Sequence, residues 1–263
     1  MEEFVDYGYL KVTYYLQDEK CYLINHKKVY RLMKAARLLN VGKALDKSKK
    51  KWVKDLVPKP DKAFIHWEFD IKFIYIDASG KYAPLLSVVD VYSRYLIGWV
   101  MQWSIKKEDV RSFFDVLIAD YEMPDKVYVR CDNGSQFEST LVREYFESKG
   151  ITQEFTRPAT PQQNAHIESY HSIIQRAICN RFEFASLAEC KHVFTRWQAF
   201  YNKHRIHSGI EYKSPVKYLE SKNIKIPLKN KQNESQESCK LPPLGETDTS
   251  SAGEQLVRDN LTG

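Results

Sequence analysis

The chain has 263 residues, 43% of them hydrophobic and 13% aromatic, which is enough to bury a sizeable core in one large domain with appendages or in two small ones. No apolar stretch approaches the roughly 20 residues of a membrane span, and the acidic start (Glu2, Glu3, Asp6) is unlike a signal peptide. The five cysteines are odd in number, scattered and never form a CxxC pair, which argues against a disulfide framework or a zinc site and favours a reducing cytoplasm.

The net charge of +6 is unevenly spread. Residues 1–60 carry a balance of +7, residues 61–227 of +1 and residues 228–263 of −2. A basic arm ahead of a nearly neutral body points to nucleic acid, because lysines gain by displacing counterions from phosphates.

The first forty residues read as helix, turn, helix, a helix-turn-helix-like module over 1–42. Asn25 is placed to cap the second helix, whose apolar positions are Val29, Leu32, Met33, Ala36 and Leu39, with Gly42 as its stop. A lysine-rich linker follows over 43–62, including Lys49, Lys50 and Lys51 and closed by two prolines.

From 63 the pattern alternates. In "FIHWEFDIKFIYI", Trp67, Phe69, Ile71, Phe73 and Tyr75 share one face, and Glu68, Asp70, Lys72, Ile74 and Ile76 the other. "DASGK" reads as a hairpin turn, and "YAPLLSVVDVY" and "RYLIGWVMQW" complete an antiparallel meander, with Trp99 and Trp103 in the core. A helix with Val110, Phe113, Phe114, Leu117, Ile118 and Tyr121 on its stripe comes next, then the short strand "KVYVR". A helix through Leu141, Tyr145 and Phe146, stopped by Gly150, leads to the strand "ITQEF". "TRPATPQQ" reads as a mobile loop, and a long helix is predicted from Asn164 to Phe182 with Ile167, Tyr170, Ile174 and Ile178 as its stripe. Ser186 and Glu189 spell a capping box for a last helix through Trp197 and Tyr201. The order predicts a mixed α/β fold over 63–184 with helices on both faces of the sheet. A helical extension occupies 185–227, and the polar, aperiodic stretch 228–263 is expected to be disordered.

Three acids stand out by position: Asp70 within the first strand, Asp132 at the end of the fourth and Glu168 near the start of the long helix. If the first and fourth strands are parallel neighbours, Asp70 and Asp132 converge, and a helix packed across that edge brings Glu168 within reach. Three carboxylates so close need compensation, since like charges raise each other's pKa. Oxygen donors without a Cys or His cluster point to magnesium or manganese, and two such ions would clamp the attacking and leaving oxygens of a displacement at phosphorus. Single acids have blander readings too, as a surface pair, a turn acid or a solvated helix acid.

Thirty-five residues separate Asp132 from Glu168. With "FD" in a strand, "DNGSQF" after a strand and "NAHIES" opening a helix, this D, D(35)E pattern resembles the catalytic core of retroviral integrases and bacterial insertion-sequence transposases. "VVDVYSRYLIGW" and "YNKHRIHSGIEYKSPVKYL" are similar to segments of the second subunit of two-frame insertion-sequence transposases, and "YGYLKVTYYL" and "NHKKVYRLMKAARLL" resemble the helical module ahead of that core. The resemblance implies a ribonuclease H-like mixed five-stranded sheet and Asp70, Asp132 and Glu168 as the catalytic, metal-binding triad. It implies cleavage at element ends to free 3′ hydroxyls and their transfer into target DNA. It also implies DNA as partner, a homo-oligomer assembled on it, an upstream-frame subunit and a bacterial cytoplasm. The alternatives are a DNA-binding remnant without turnover, or a metal-dependent nuclease of the same fold.

Other residues carry weaker expectations. Relatives place Lys or Arg at the position of Gln175, where it is thought to contact DNA; Arg176 is next. His171 could touch the scissile phosphate or satisfy a local bond. Gln163 and Asn164 could contact DNA or cap the helix, capping being favoured for Asn164. His204, Arg205 and His207 form a basic turn suited to phosphate or to solvent, and Asp90 reads as structural, pairing Arg94 or capping its turn.

Overall fold

The computed structural model describes residues 7–39, 60–156 and 161–229. Gly42, Lys49, Lys50 and Lys51, residues 157–160 of the proline-containing loop and the stretch from 230 onward lie outside the described residues.

Helices α1 (Tyr9–Asp18) and α2 (His26–Ala35) form the amino-terminal module. Asn25 caps α2 as expected, its side chain accepting the Lys27 N–H at 2.8 Å. The apolar stripe is narrower than expected: Val29 and Met33 are buried, whereas Leu32 is exposed, because little more than one ridge of α2 faces a neighbour.

The body is a five-stranded sheet in the order β3-β2-β1-β4-β5. Strands β1 (His66–Ile76), β2 (Lys81–Asp90) and β3 (Leu96–Met101) form the antiparallel meander, turned between β1 and β2 at Gly80 with φ of 61°. Strands β4 (Val127–Cys131) and β5 (Ile151–Phe155) add parallel to β1 and to each other. The mixed sheet is therefore the one the element order predicts.

Side-chain alternation gives the sheet two cores. Odd-numbered β1 residues Trp67 and Phe69 pack under α3 (Lys107–Asp120) and α5 (Thr140–Ser148), with the rings of Phe114, Phe137 and Phe146 around Phe69; Phe137 comes from the single turn α4 (Ser135–Glu138). Even-numbered Ile74 and Ile76 pack under α6 (Ala165–Ile174) and α7 (Leu187–Lys203), together with Tyr170, Phe194 and Trp197. The expectation that Phe73 and Tyr75 continue the first core fails: Phe73 is 62% exposed. β1 pairs with β4 only from His66 to Glu68, and from Asp70 to Ile76 its ladder is with β2 alone. Phe73 and Tyr75 thus lie past the aromatic cluster that covers Phe69. Trp103 is also exposed, just beyond the end of β3.

The long helix divides into α6 and a π-helical segment, Gln175–Cys179. After α7, cap residue Ser214 and Pro215 at the first position start a further short helix, α8 (Pro215–Ser221), which apolar periodicity does not announce. Asp90 is structural: fully buried, it accepts from the Phe64 N–H (2.8 Å), the Ser93 N–H (2.8 Å) and the Ser93 hydroxyl (2.6 Å).

Candidate active site

Register sets how near the acids come. Glu68 of β1 lies beside Arg130 of β4 in a parallel ladder. Two residues further along each chain come Asp70 and Asp132, just past the end of that ladder and close enough for the charge of Asp132 to act on Asp70. Asp70 is on the even-numbered face, towards α6. Asp132 follows the last strand residue, its Oδ1 accepting the Gly134 N–H at 3.0 Å, and Asn133 ties the turn to β5 by donating to the Thr156 carbonyl at 3.0 Å. Both Asp132 and Glu168, in the first turn of α6, are exposed.

Electrostatics joins the three. Burial is the main reason the Asp70 carboxyl is pushed up to about 7; the Ile71 N–H, donated at 2.8 Å, opposes this, and the negative charges of Asp132 and Glu168 add to it. Glu168 is also raised, by burial and then by Glu68. The carboxylates share one field without closing on one point: among the described residues, no three His, Cys, Asp or Glu side chains are grouped tightly enough to hold a single ion. His171, one turn after Glu168, sets Nδ1 3.5 Å from Asp70 Oδ2. Its pKa is lowered to about 3, by burial first and by Lys72 second, so the ring is neutral at physiological pH.

Beneath the acids lies a polar network that spacing alone did not single out. Glu68 is 1% exposed, and its Oε2 accepts the backbone N–H groups of His166 (2.8 Å) and Ile167 (2.9 Å), the open donors at the start of α6. Its Oε1 lies 2.8 Å from His166 Nδ1 and 3.9 Å from Arg130 Nη1. Arg130 donates to the Gln163 carbonyl at 3.0 Å and to Glu154 Oε2 at 3.1 and 2.7 Å. The one sequence signal was a Glu two residues before Asp70, on the same face of β1.

The weaker expectations fare unevenly. Asn164 is buried and makes no side-chain cap bond, because Glu68 takes that role. Gln163 offers its carbonyl to Arg130. Gln175 and Arg176 are exposed on the continuation of α6, bonded to Asn180 (2.9 Å) and Ser172 (2.6 Å). Arg205 is not a solvent-facing phosphate ligand: it is 1% exposed, its guanidinium 5.6 Å from the ring centre of Tyr7. His207 is buried as well, and in that turn His204 is exposed.

Comparison with known proteins agrees with this architecture. Two integrase core domain models match residues 60–161 and 149–215, and an HTH-like domain model matches residues 2–43. The transposase for insertion sequence element IS904 of Lactococcus lactis is 29% identical over 150 residues, which is 57% of this chain and 58% of that protein. An uncharacterized 31.7 kDa protein of insertion element IS407 from Burkholderia multivorans is 25% identical over 81% of this chain and 75% of its own length. The chain thus spans little more than half of the first of these relatives. A chain of the simian T-cell lymphotropic virus intasome, solved in complex with PP2A regulatory subunit B56 gamma, superposes with a TM-score of 0.52 at 13% identity, over 95% of this chain and 78% of that one, and shows the same fold. The two integrase core matches together run from 60 to 215 and the HTH-like match precedes them, and over this stretch the chain is similar to a transposase and other proteins of insertion elements.

Proposed function

We propose that this chain is the catalytic subunit of a DNA transposase, which cleaves at the ends of its element and transfers the freed 3′ hydroxyls into target DNA. The observation that supports the reading is the parallel register of β1 and β4, which ends at Glu68 and Arg130, two residues short of Asp70 and Asp132, together with the charges of Asp132 and Glu168 acting on Asp70. The donor set fits Mg2+ or Mn2+: three carboxylates and no thiolate, with Asp70 in a field that a cation would relieve. Asp70, Asp132 and Glu168 would hold the metal, as a pair of ions; when bound, such ions supply the charge neutralisation and Lewis acidity that displacement at a phosphodiester needs.

The chain's own residues provide the rest. β1 and the turn after β4 fix two carboxylates on adjacent backbones, and neutral His171 steadies Asp70 from α6. The basic amino-terminal stretch supplies phosphate attraction of the salt-sensitive kind. Several copies assembled on DNA, an upstream-frame partner and the bacterial cytoplasm belong to the same proposal; among the described residues no helix is long and apolar enough to cross a membrane.

The test uses labelled duplexes carrying the terminal repeats that flank the gene. With Mg2+, the parent chain nicks the 3′ ends and joins them to a second duplex, and Asp132→Asn reduces both steps about 100-fold or more. Full activity of Asp132→Asn overturns the reading. Nicking without joining identifies a nuclease, and end binding without either step identifies an inactive DNA-binding remnant.

A further inference from the structure

Each of the proposed catalytic acids is preceded two residues earlier by a second polar side chain: Glu68 before Asp70, Arg130 before Asp132 and His166 before Glu168. In β1 a two-residue step returns to the same face, so Glu68 lies directly behind Asp70. In α6 a two-residue step turns to the far side, so His166 points inward while Glu168 is exposed.

These three side chains meet one another. Glu68 and Arg130 are ladder partners, with Glu68 Oε1 3.9 Å from Arg130 Nη1 and 2.8 Å from His166 Nδ1. Glu68 Oε2 holds the amides of His166 and Ile167, and the residue after Ile167 is Glu168. Arg130 grips the other side of the helix entry through the Gln163 carbonyl, and Glu154 fixes Arg130 from β5. The path from Asp70 to Glu168 is therefore short and polar: one strand step, one carboxylate, one amide.

Packing alone does not explain the arrangement. A carboxylate at 1% exposure is expensive to bury unless it is bonded on all sides. An apolar side chain would fill the same space without that cost, and Asn164 stands where a helix usually supplies its own cap. What Glu68 adds is direction: a negative charge on the positive end of α6, set by the strand that bears Asp70.

We propose that Glu68, Arg130 and His166 form a positioning layer that sets the spacing of the Asp70, Asp132 and Glu168 carboxylates and thereby the affinity of the site for divalent ions. The proposal rests on the reading of those acids given above. Its test uses the full chain and Mn2+ alone, with calorimetric binding, hydrogen exchange at the His166 and Ile167 amides and a urea midpoint measured on each variant.

Glu68→Gln weakens Mn2+ binding about tenfold, within the usual effect of groups that orient metal ligands, and speeds exchange at both amides. Arg130→Lys, which keeps the charge and loses the fork to Gln163 and Glu154, shifts binding in the same direction and covers the case in which Glu68→Gln does not fold. An unchanged Mn2+ affinity in the folded variants overturns the proposal, whatever happens to the urea midpoint. Asp70→Asn and Asp132→Asn separate the two levels. If they bind Mn2+ like the parent, the catalytic reading fails; if they lose binding while the Glu68 and Arg130 variants keep it, the positioning layer alone fails.

Discussion

His207 is a histidine that the fold keeps neutral. It is buried beside Tyr201, with ring centres 4.9 Å apart, and burial holds its pKa well below the ordinary value, helped by the positive charges of Arg205, Lys11 and Arg94. The unfolded chain takes up a proton below about pH 6.5 and the native chain resists it, so the native state loses stability as the pH falls below that point. Urea midpoints measured from pH 7.5 down to 5 are expected to fall less steeply for His207→Asn than for the parent. A basic triplet reads as a surface feature when its partners are out of view. The group that covers Arg205 is Tyr7, nearly two hundred positions away, and nothing local in "KHRIH" announces it. The places of Asp70 and Asp132, within β1 and just after β4, were legible for the opposite reason: local pattern defines those two strands.

At the scale of elements, Asn202 does work that a strand would otherwise do. From α7 its side chain accepts the Leu96 N–H at 2.8 Å and donates to the Leu96 carbonyl at 2.9 Å, satisfying both backbone groups at the start of edge strand β3. Asn202→Leu removes both bonds, leaving the Leu96 carbonyl only the longer one from Gln198 Nε2 (3.5 Å), and is expected to lower stability by about 1–3 kcal/mol, read as a shifted urea midpoint with an unchanged slope. The strands and most helices could be read from periods of 2 and 3.6, since a buried face writes itself into the sequence. The start of α6 could not. Its cap belongs to β1, and a helix capped by a side chain 98 positions upstream gives no local signal. Ser214-Pro215 is the reverse case, a start written plainly for a helix too short to show a stripe.

At the scale of the whole molecule, the amino-terminal module is docked on the carboxy-terminal extension. The Tyr7 hydroxyl accepts the Ile206 N–H at 2.7 Å, Tyr14 stacks on Tyr212 at 4.2 Å, and Lys217 pairs with Asp18 (2.8 Å) and Glu19 (2.5 Å). The lysine pairs are partly exposed and contribute little; the buried Tyr7 ring carries more. Tyr7→Ala is expected to weaken docking by about 3 kcal/mol, near the cost of truncating a buried aromatic. Limited proteolysis would then cut within 7–39 faster than in the parent and leave the sheet intact.

The unequal lengths of β1 and β4 have a geometric corollary. An eleven-residue strand beside a five-residue one makes a ledge along the molecule, and Asp70 stands at its lip. On the proposed function, that step is the side from which a sugar-phosphate chain would reach Asp70. Lengthening β4 by one hydrogen-bonded pair would then raise a wall on that side, so in the proposed site the brevity of β4 counts as much as the carboxylates.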